Sequence, residues 1–254
     1  MAKTILITGA TAGFGEAMAR RFARKGNRLI ICGRRSQRLQ DLAKSLSDAD
    51  EVHCMAFDVR ERDAVQKAFD ALPADYSPID ILINNAGLAL GREHLGAGHL
   101  DDWDTMIDTN VKGLLYVTRF ALPFLRKAAQ PHILNIGSIA GTEVYPGGNV
   151  YCASKHAVDA LSRAMRQEFL PEGIAVSQIR PGLAETEFSL VRFKGDARKA
   201  AQVYAGMEAL SAEDVADAAE FVLSRPAHVC INDLEITPRA QANAFLIHRD
   251  QDDA

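Results

Sequence analysis

The stretch that decides the fold of this 254-residue chain is Thr8-Gly9-Ala10-Thr11-Ala12-Gly13-Phe14-Gly15. It follows the apolar run Thr4-Ile5-Leu6-Ile7, which is rich in β-branched residues and predicts a buried strand. It precedes residues 16–24, where alanine, methionine and phenylalanine side chains recur at helical spacing. A strand, a glycine-rich turn and a helix in this order predict a phosphate-binding site. Glycine lets the backbone approach a ligand closely, and the positive end of the helix dipole faces the anion.

Composition and charge narrow the class of protein. Apolar residues make up 48% of the chain and charged residues 24%, which is typical of a soluble protein with a substantial core. The net charge of −4 argues against non-specific nucleic-acid binding. No apolar run approaches the roughly 20 residues of a membrane helix, and a strand begins too early to leave room for a signal peptide. The 4 cysteines are widely spaced, which argues against a metal site. We therefore predict a cytoplasmic protein with reduced thiols and no nucleic-acid or membrane partner.

The end of the second predicted strand, Arg28–Cys32, indicates which dinucleotide is bound. In dinucleotide-binding folds an acidic residue about 20 residues beyond the glycine loop binds the ribose 2′-hydroxyl of NAD. This chain has Arg34 and Arg35 after Gly33 instead. A guanidinium pairs with a 2′-phosphate in a forked geometry, whereas an acid repels it. The alternative is that the two arginines only begin the next helix on its solvent face. Because they follow the glycine loop and a strand, the sequence favours NADP over NAD.

Further strands alternate with helices along the chain. The remaining predicted strands are Val52–Phe57, Ile79–Ile83, His132–Ile136 and Ile174–Ile179. Long helices are predicted for Asp101–Leu125 and from Tyr151 to about Leu170. This alternation predicts a parallel sheet with right-handed crossovers. We therefore predict an α/β fold: a single-domain, Rossmann-type, doubly wound parallel sheet with helices on both faces. The domain covers residues 1–248, and residues 249–254 form a polar tail.

Polar or small residues follow several of these strands. Asp58 follows the third strand, where it either accepts a hydrogen bond from an adenine amino group or caps the next helix. The small residues of Asn84-Asn85-Ala86-Gly87 let the backbone lie against a flat ligand, and their paired amides can pin neighbouring strands. Ligands of parallel sheets bind outside the carboxyl ends of the strands. Thr8, Arg34, Asp58 and residues 84–87 therefore predict one shared cleft.

Tyr151 and Lys155 stand four residues apart on one predicted helical face. A tyrosine has an ordinary pKa of about 10, and a lysine one turn away would lower it by stabilising the phenolate. Ser138, at the end of the adjacent strand, could hold a substrate oxygen beside the tyrosine. Asn110 lies within a predicted helix, an unfavourable position that suggests a specific role. The alternative for the pair is an aromatic core residue and a surface lysine that share a face.

Taken together and in order, these motifs resemble the short-chain dehydrogenase/reductase family. The residues that carry the resemblance are Thr8–Gly15, Asp58, Asn84–Gly87, Asn110, Ser138, Tyr151, Lys155, Pro181-Gly182 and Thr186. The resemblance spans nearly the whole chain and implies an oxidoreductase that exchanges a hydride between a nicotinamide cofactor and a substrate carbon.

The resemblance also implies roles for individual residues. Tyr151 would be the general acid/base, and Lys155 would hold the nicotinamide ribose hydroxyls and lower the pKa of Tyr151. Ser138 would orient the carbonyl, and Asn110 would anchor a water that links Lys155 to solvent. The implied NADP site comprises Gly9, Thr11, Gly13, Phe14, Gly15, Arg34, Arg35, Asp58, Val59, Asn85, Ala86, Gly87, Tyr151, Lys155, Pro181, Gly182 and Thr186.

A closer resemblance concerns the second half of the chain. The segments Gly147–Tyr151, Thr186–Ser189, Val191–Asp196, Pro226–Val229 and Asn232–Glu235 are similar to those of NADP-dependent 3-hydroxy acid dehydrogenases. Members of that group are also described as serine or allo-threonine dehydrogenases. The implied substrate is a small 3-hydroxy acid such as serine, allo-threonine or 3-hydroxypropionate.

An acidic substrate needs a cationic partner in the site. Arg192, in a predicted substrate loop at about residues 183–210, is the candidate; the alternative is a solvated loop arginine. Asn149, close to Tyr151, is a second candidate for substrate contact.

The resemblance is also compatible with two other functions on the same scaffold. A related set of enzymes reduces sulfoacetaldehyde to isethionate, and an arginine binds a sulfonate as readily as a carboxylate. A non-catalytic NADP-binding scaffold or sensor is the alternative from another class, although this chain keeps the serine, tyrosine and lysine. The family resemblance implies a homotetramer, with residues 230–238 near a second interface.

Overall fold

A parallel sheet forms the centre of the computed structural model, which describes residues 2–250. Its strands are β1 (Thr4–Thr8), β2 (Arg28–Gly33), β3 (Glu51–Ala56), β4 (Ile81–Asn84), β5 (His132–Ile136), β6 (Ala175–Pro181) and β7 (Asp233–Ile236). The order across the 7-stranded sheet is β3-β2-β1-β4-β5-β6-β7, and all neighbours are parallel. The predicted fold class is therefore confirmed, and the strand order reverses between β1 and β4.

Helices connect the strands. They are α1 (Gly13–Ala23), α2 (Ser36–Ser45), α3 (Arg62–Asp70), α4 (Leu100–Ile107), α5 (Leu114–Leu125), α6 (Asn149–Glu168), α7 (Glu187–Arg192), α8 (Ala197–Gln202) and α9 (Ala212–Leu223). Short 3₁₀ turns are Ala74–Tyr76, Leu95–Ala97, Ile139–Gly141 and Leu170–Glu172. Among the helices of residues 2–250, none combines the length and the apolar character needed to span a bilayer.

Both faces of the sheet are covered. Ile5 and Ile7 pack in a core with side chains of α1, α2 and α9, whereas Leu6 packs on the other face with α3, α5 and α6. A strand buried on both faces reads as a continuous apolar run, which is why β1 was recognisable from its sequence.

The edge strand β7 was not predicted as a strand. Its residues alternate in character, and only Leu234 and Ile236 pack against the core. It pairs with β6, where Leu234 lies opposite Ile179. A four-residue edge strand with one packed face lacks the apolar run that marks a central strand.

The predicted helix Asp101–Leu125 is interrupted. α4 ends at Ile107, and residues Asp108–Gly113 form a π-helical turn before α5 begins. The wide turn buries both Asn110 and Gly113. A Cβ on Gly113 would lie 2.7 Å from Val59 Cγ2, so this turn packs tightly against the segment after β3.

The last described residues pack against the predicted substrate loop instead of fraying. Arg249 donates hydrogen bonds to the carbonyl oxygens of Val203 (2.9 Å) and Ala205, and the Asp250 amide donates to Gly206 O at 2.8 Å. The first two residues of the predicted polar tail, Arg249 and Asp250, are therefore hydrogen-bonded to this loop. Residues 251–254 of that tail lie outside the described residues.

Candidate active site

A cavity of about 660 Å³ opens at the carboxyl ends of the strands, where the strand order reverses. Parallel sheets bind ligands at this place. Predicted site residues that line it are Gly9, Thr11, Gly13, Phe14, Arg34, Arg35, Asp58, Val59, Asn85, Ala86, Gly87, Ser138, Tyr151, Lys155, Pro181, Gly182, Thr186 and Arg192. Those that do not line it are Gly15, Asn110 and Asn149. We call the part around Arg34 and Arg35, together with the nearby Arg38 that does not line the cavity, the adenosine end, and the part around Tyr151 and Arg192 the substrate end.

The glycine loop has the backbone that a phosphate site requires. Gly9 and Gly13 have φ angles of 67° and 53°, in the left-handed region that favours glycine. A Cβ on Gly9 would lie 2.9 Å from the Asn85 amide nitrogen. Gly15 does not line the cavity: a Cβ there would collide with Gly9 O, so this glycine lets α1 approach the loop, and its place in the cofactor site stays a prediction.

The segment after β4 is held against β1. Thr8 Oγ1 accepts hydrogen bonds from the amides of Asn85 and Ala86, both at 3.0 Å, and Asn85 Nδ2 donates to Thr8 O at 2.8 Å. Asn84 Nδ2 donates to Asn135 Oδ1 at 2.9 Å. The paired asparagines therefore do pin neighbouring strands, and the backbone of residues 85–87 forms the floor of the cavity.

Asp58 lies at the adenosine end as an acceptor and not as a helix cap. Its carboxylate binds Arg60 at 2.7 Å, and Arg34 Nη1 lies 3.7 Å away. Partial burial raises the pKa of Asp58, but the hydrogen bonds and charge of Arg60 outweigh this effect and hold the pKa below its ordinary value. α3 begins four residues later, after Glu61. Asp58 is therefore ionised and available to a polar ligand atom.

Tyr151 and Lys155 are buried at the start of α6. Lys155 Nζ donates to Ile136 O at 2.9 Å, and burial lowers its pKa to about 8. Burial also raises the pKa of Tyr151, and Tyr145 adds to this; Ser138 and Arg192 act in the opposite direction. Ser138 and Arg192 thus favour the phenolate. The hypothesis that Lys155 lowers the pKa of Tyr151 stays a prediction.

Asn110 does not line the cavity but connects two segments that do. Its Oδ1 accepts from Leu88 N and its Nδ2 donates to Leu88 O, both at 2.8 Å, and Nδ2 also donates to Ser154 Oγ at 2.9 Å. Ser154 in turn donates to Tyr151 O. Asn110 therefore ties the segment after β4 to the helix that carries Tyr151 and Lys155. These contacts do not test the water relay through Asn110, which stays a prediction.

Arg192 is a buried cation, contrary to the alternative of a solvated loop residue. It is 8% exposed, and its guanidinium carbon lies 5.6 Å from the centre of the Tyr151 ring. It donates to Gly91 O (3.1 Å), Gly147 O (3.2 Å) and Tyr145 Oη (3.1 Å). All three acceptors are uncharged, and within residues 2–250 no carboxylate lies within 4.0 Å of it.

Asn149 does not line the cavity that Tyr151 lines, and its predicted contact with substrate stays a prediction. It is the first residue of α6, and its Nδ2 donates to Glu93 O at 2.9 Å outside the main cavity. A position two residues before Tyr151 on a helix faces a different direction, which explains the separation.

Sequence analysis missed several side chains that line the cavity, and three of them contact predicted site residues. Tyr145 holds Arg192, the Phe188 ring lies 5.6 Å from the Tyr151 ring, and Glu187 pairs with Arg35. Phe188 and Glu187 lie in the segment Thr186–Ser189 of the predicted substrate loop, and this segment is the signal that could have identified them. No pattern in the sequence marks Tyr145.

The residues present fit an NADP molecule. The left-handed glycines leave a cradle beside the N-terminus of α1, Arg34 offers a guanidinium that is 56% exposed, and Asp58 offers an ionised carboxylate. Within residues 2–250 no cluster of three or more histidine, cysteine, aspartate or glutamate side chains could hold a metal ion.

Fold and site together define the class: an oxidoreductase that works with a dinucleotide cofactor. The sequence profile of the family described as short chain dehydrogenase matches residues 3–197, and the chain belongs to this family.

Relatives and solved structures narrow the class further. NADP-dependent 3-hydroxy acid dehydrogenase YdfG of Escherichia coli O6:H1 is 49% identical over 96% of this chain and 99% of its own length. Sulfoacetaldehyde reductase 2 of Chromohalobacter salexigens is 46% identical over 98% of this chain and 100% of its own. The closed form of a serine dehydrogenase complexed with NADP⁺ is 47% identical, with a TM-score of 0.91 over 98% of this chain and 100% of that one. The chain is therefore similar to enzymes of NADP-dependent 3-hydroxy acid metabolism and to a sulfonate enzyme.

Proposed function

We propose that the protein catalyses the NADP-dependent oxidation of small 3-hydroxy acids, such as serine, allo-threonine or 3-hydroxypropionate, and the reverse reduction. The observation that carries the proposal is Arg192: a buried guanidinium beside Tyr151 whose protein partners are all uncharged. A buried charge is costly unless it is paired. Three of its five N–H groups bind protein acceptors, so the others are available to a substrate carboxylate.

The chain's own residues have distinct tasks in the proposed reaction. Tyr151 Oη exchanges the proton with the substrate oxygen, and Ser138 Oγ orients that oxygen. Lys155, deep in the cavity, stabilises the tyrosinate and holds the ribose hydroxyls. Bound NADP supplies the hydride transfer. Arg192 fixes the carboxylate, which orients the hydroxyl-bearing carbon.

NADP is the preferred cofactor in this proposal. The support comes from three exposed arginines at the adenosine end, Arg34, Arg35 and Arg38, and from the NADP dependence of the relatives. A 2′-phosphate adds charge-assisted hydrogen bonds that NAD cannot make.

Reduction of sulfoacetaldehyde is the second candidate, because a relative of similar identity carries that activity. A sulfonate is also an anion that an arginine binds, so Arg192 supports either substrate.

The experiment is a substrate panel followed at 340 nm. It contains L-serine, L-allo-threonine, 3-hydroxypropionate, 3-hydroxyisobutyrate, isethionate and a neutral secondary alcohol, each with NADP⁺ and with NAD⁺. We expect the highest kcat/KM for a hydroxy carboxylate with NADP⁺. A preference for isethionate would favour the second candidate, and a preference for the neutral alcohol would contradict both.

The proposal also includes three features predicted from the sequence. They are one domain over residues 1–248, a homotetramer and a cytoplasmic location. Light scattering during size-exclusion chromatography tests the tetramer, and fractionation of the source cells tests the location.

A further inference from the structure

The first residue of α7 reaches across the cavity to the adenosine end. Glu187 accepts hydrogen bonds from Arg35 Nη1 at 3.1 Å and from Arg38 Nη1 at 2.9 Å. The preceding Thr186 packs against the glycine loop, since its Cβ would lie 3.4 Å from a Cβ on Gly13. One acid from the substrate loop therefore holds two arginines of the β2–α2 segment.

The arginines differ in how freely they can bind a phosphate. Arg35 is already held by Thr11, whose Oγ1 accepts from Nη2 at 2.8 Å and from Nε at 3.1 Å. Its Nη1 donates to Glu187. Arg34, by contrast, has as its one acidic partner among the described residues the carboxylate of Asp58, at 3.7 Å. A phosphate that approaches Arg34 does not have to displace a hydrogen-bonded carboxylate. A phosphate that approaches Arg35 finds the Glu187 carboxylate already bound to the guanidinium.

The geometry points to Glu187 as a residue that sets NADP affinity. Its carboxylate occupies the position on Arg35 and Arg38 that a 2′-phosphate would take in the proposed NADP site, so the two anions would exclude each other there. Binding of NADP then exchanges the Glu187 pairs for phosphate contacts and releases the first turn of α7 from α2. NAD carries no 2′-phosphate and leaves the pairs intact. This inference rests on the NADP site of the proposed function.

Energetics allow such an exchange. Glu187, Arg35 and Arg38 are all more than two-fifths exposed, and exposed ion pairs are weak because solvent screens them. Partial burial raises the pKa of Glu187, but the hydrogen bonds from Arg38 and Arg35 outweigh this effect and hold the pKa below its ordinary value. The carboxylate is therefore charged at neutral pH. A charged carboxylate repels a phosphate that approaches the same arginines. By linkage, whatever weakens the Glu187 pairs must strengthen NADP binding.

The test is calorimetric titration of the full-length protein with NADP⁺ and with NAD⁺, without turnover. Glu187→Gln removes the charge and keeps the shape. We expect it to bind NADP⁺ about fivefold more tightly, with NAD⁺ affinity changed less than twofold. Glu187→Asp keeps the charge and is expected to stay within twofold of the wild-type affinity for NADP⁺. Glu185→Gln is the matched control: an exposed acid two residues earlier that should change neither affinity.

The outcomes separate this inference from the proposed function. Unchanged or weaker NADP⁺ binding by Glu187→Gln overturns the inference, as does equal tightening by Glu187→Asp. Equal wild-type affinity for NADP⁺ and NAD⁺ instead contradicts the cofactor preference of the proposed function. Thermal unfolding of each variant confirms that it is folded before titration.

Discussion

The two ends of the cavity both present arginines, but in opposite states. At the adenosine end Arg34, Arg35 and Arg38 are exposed, and each has an acid nearby. At the substrate end Arg192 is buried, and the acceptors that it binds within residues 2–250 are all neutral. Exposed, paired arginines exchange partners at little cost, whereas a buried arginine without an acid favours any anion of suitable size.

This difference indicates two modes of anion binding in one cavity. In the proposed NADP site the adenosine end would bind by exchange, so its affinity would depend on competing charges and on salt. The substrate end is preorganised: Arg192 joins α7 to the segments around Gly91 and Gly147 before substrate arrives. Preorganisation reduces the entropy lost on binding and fixes orientation.

The largest effect is expected at the substrate end, at Tyr151. Tyr151→Phe removes the hydroxyl that exchanges the proton, and we expect kcat to fall by about 10³-fold or more. NADPH affinity, measured by calorimetry, should change less than about threefold because the arginine contacts are intact. Turnover close to wild type would show that the chemistry does not pass through Tyr151.

Arg192→Gln tests the substrate end. Loss of the guanidinium should lower kcat/KM for hydroxy carboxylates about 100-fold, because a buried charge pair is lost, and should change the value for a neutral alcohol less than about threefold. Arg198→Gln, an exposed arginine on α8, is the control and should have no effect. An equal loss for both substrates would mean that Arg192 only holds the loop in place.

Arg34→Ala tests the adenosine end. We expect the Kd of NADPH to rise about tenfold, the loss of one charge-assisted contact, and that of NADH to change less than twofold. Arg24→Ala, an exposed arginine after α1, is the matched control. If NADH binding weakens as much as NADPH binding, Arg34 has a structural role and does not read the phosphate.

Ionic strength gives the smallest and most general contrast. Raising it from about 0.05 to 0.5 M should increase the KM of NADP⁺ several-fold, because exposed charges are screened over about 10 Å or less. The KM of the hydroxy acid should change less than twofold, because Arg192 is buried. Similar salt dependence for both substrates would remove the distinction between the two ends.

Much of the fold was predictable because local patterns determine it. The apolar run of β1 and the glycine loop after it identified the sheet, and predicted strand-end residues such as Asp58 and Asn85 line one cavity. The family assignment followed from the order of these motifs and is confirmed.

Other features depend on contacts between distant residues. Glu187 meets Arg35 across 152 positions, and Tyr145 meets Arg192 across 47, so neither pair forms a local pattern. Burial of Arg192 results from the packing of α7 over the cavity and cannot be read from an isolated loop arginine. Asn149 shows the converse: closeness to Tyr151 in sequence does not give closeness in the site.

The π-helical turn Asp108–Gly113 has a consequence for insertions and deletions. A π turn closes over one residue more than an α turn, so the faces of α4 and α5 differ in angle from those of one continuous helix. On α4, Met106 packs with Tyr151, whereas on α5 Val117 packs under the sheet.

Deleting one residue from this turn would restore regular α-helical periodicity and rotate one helix by about 100° relative to the other. Either Met106 would lose its packing against α6, which carries Tyr151, or Val117 would lose its packing against the sheet. The length of this turn is therefore fixed by two packing surfaces at once, and homologous chains that keep both surfaces must keep the extra residue.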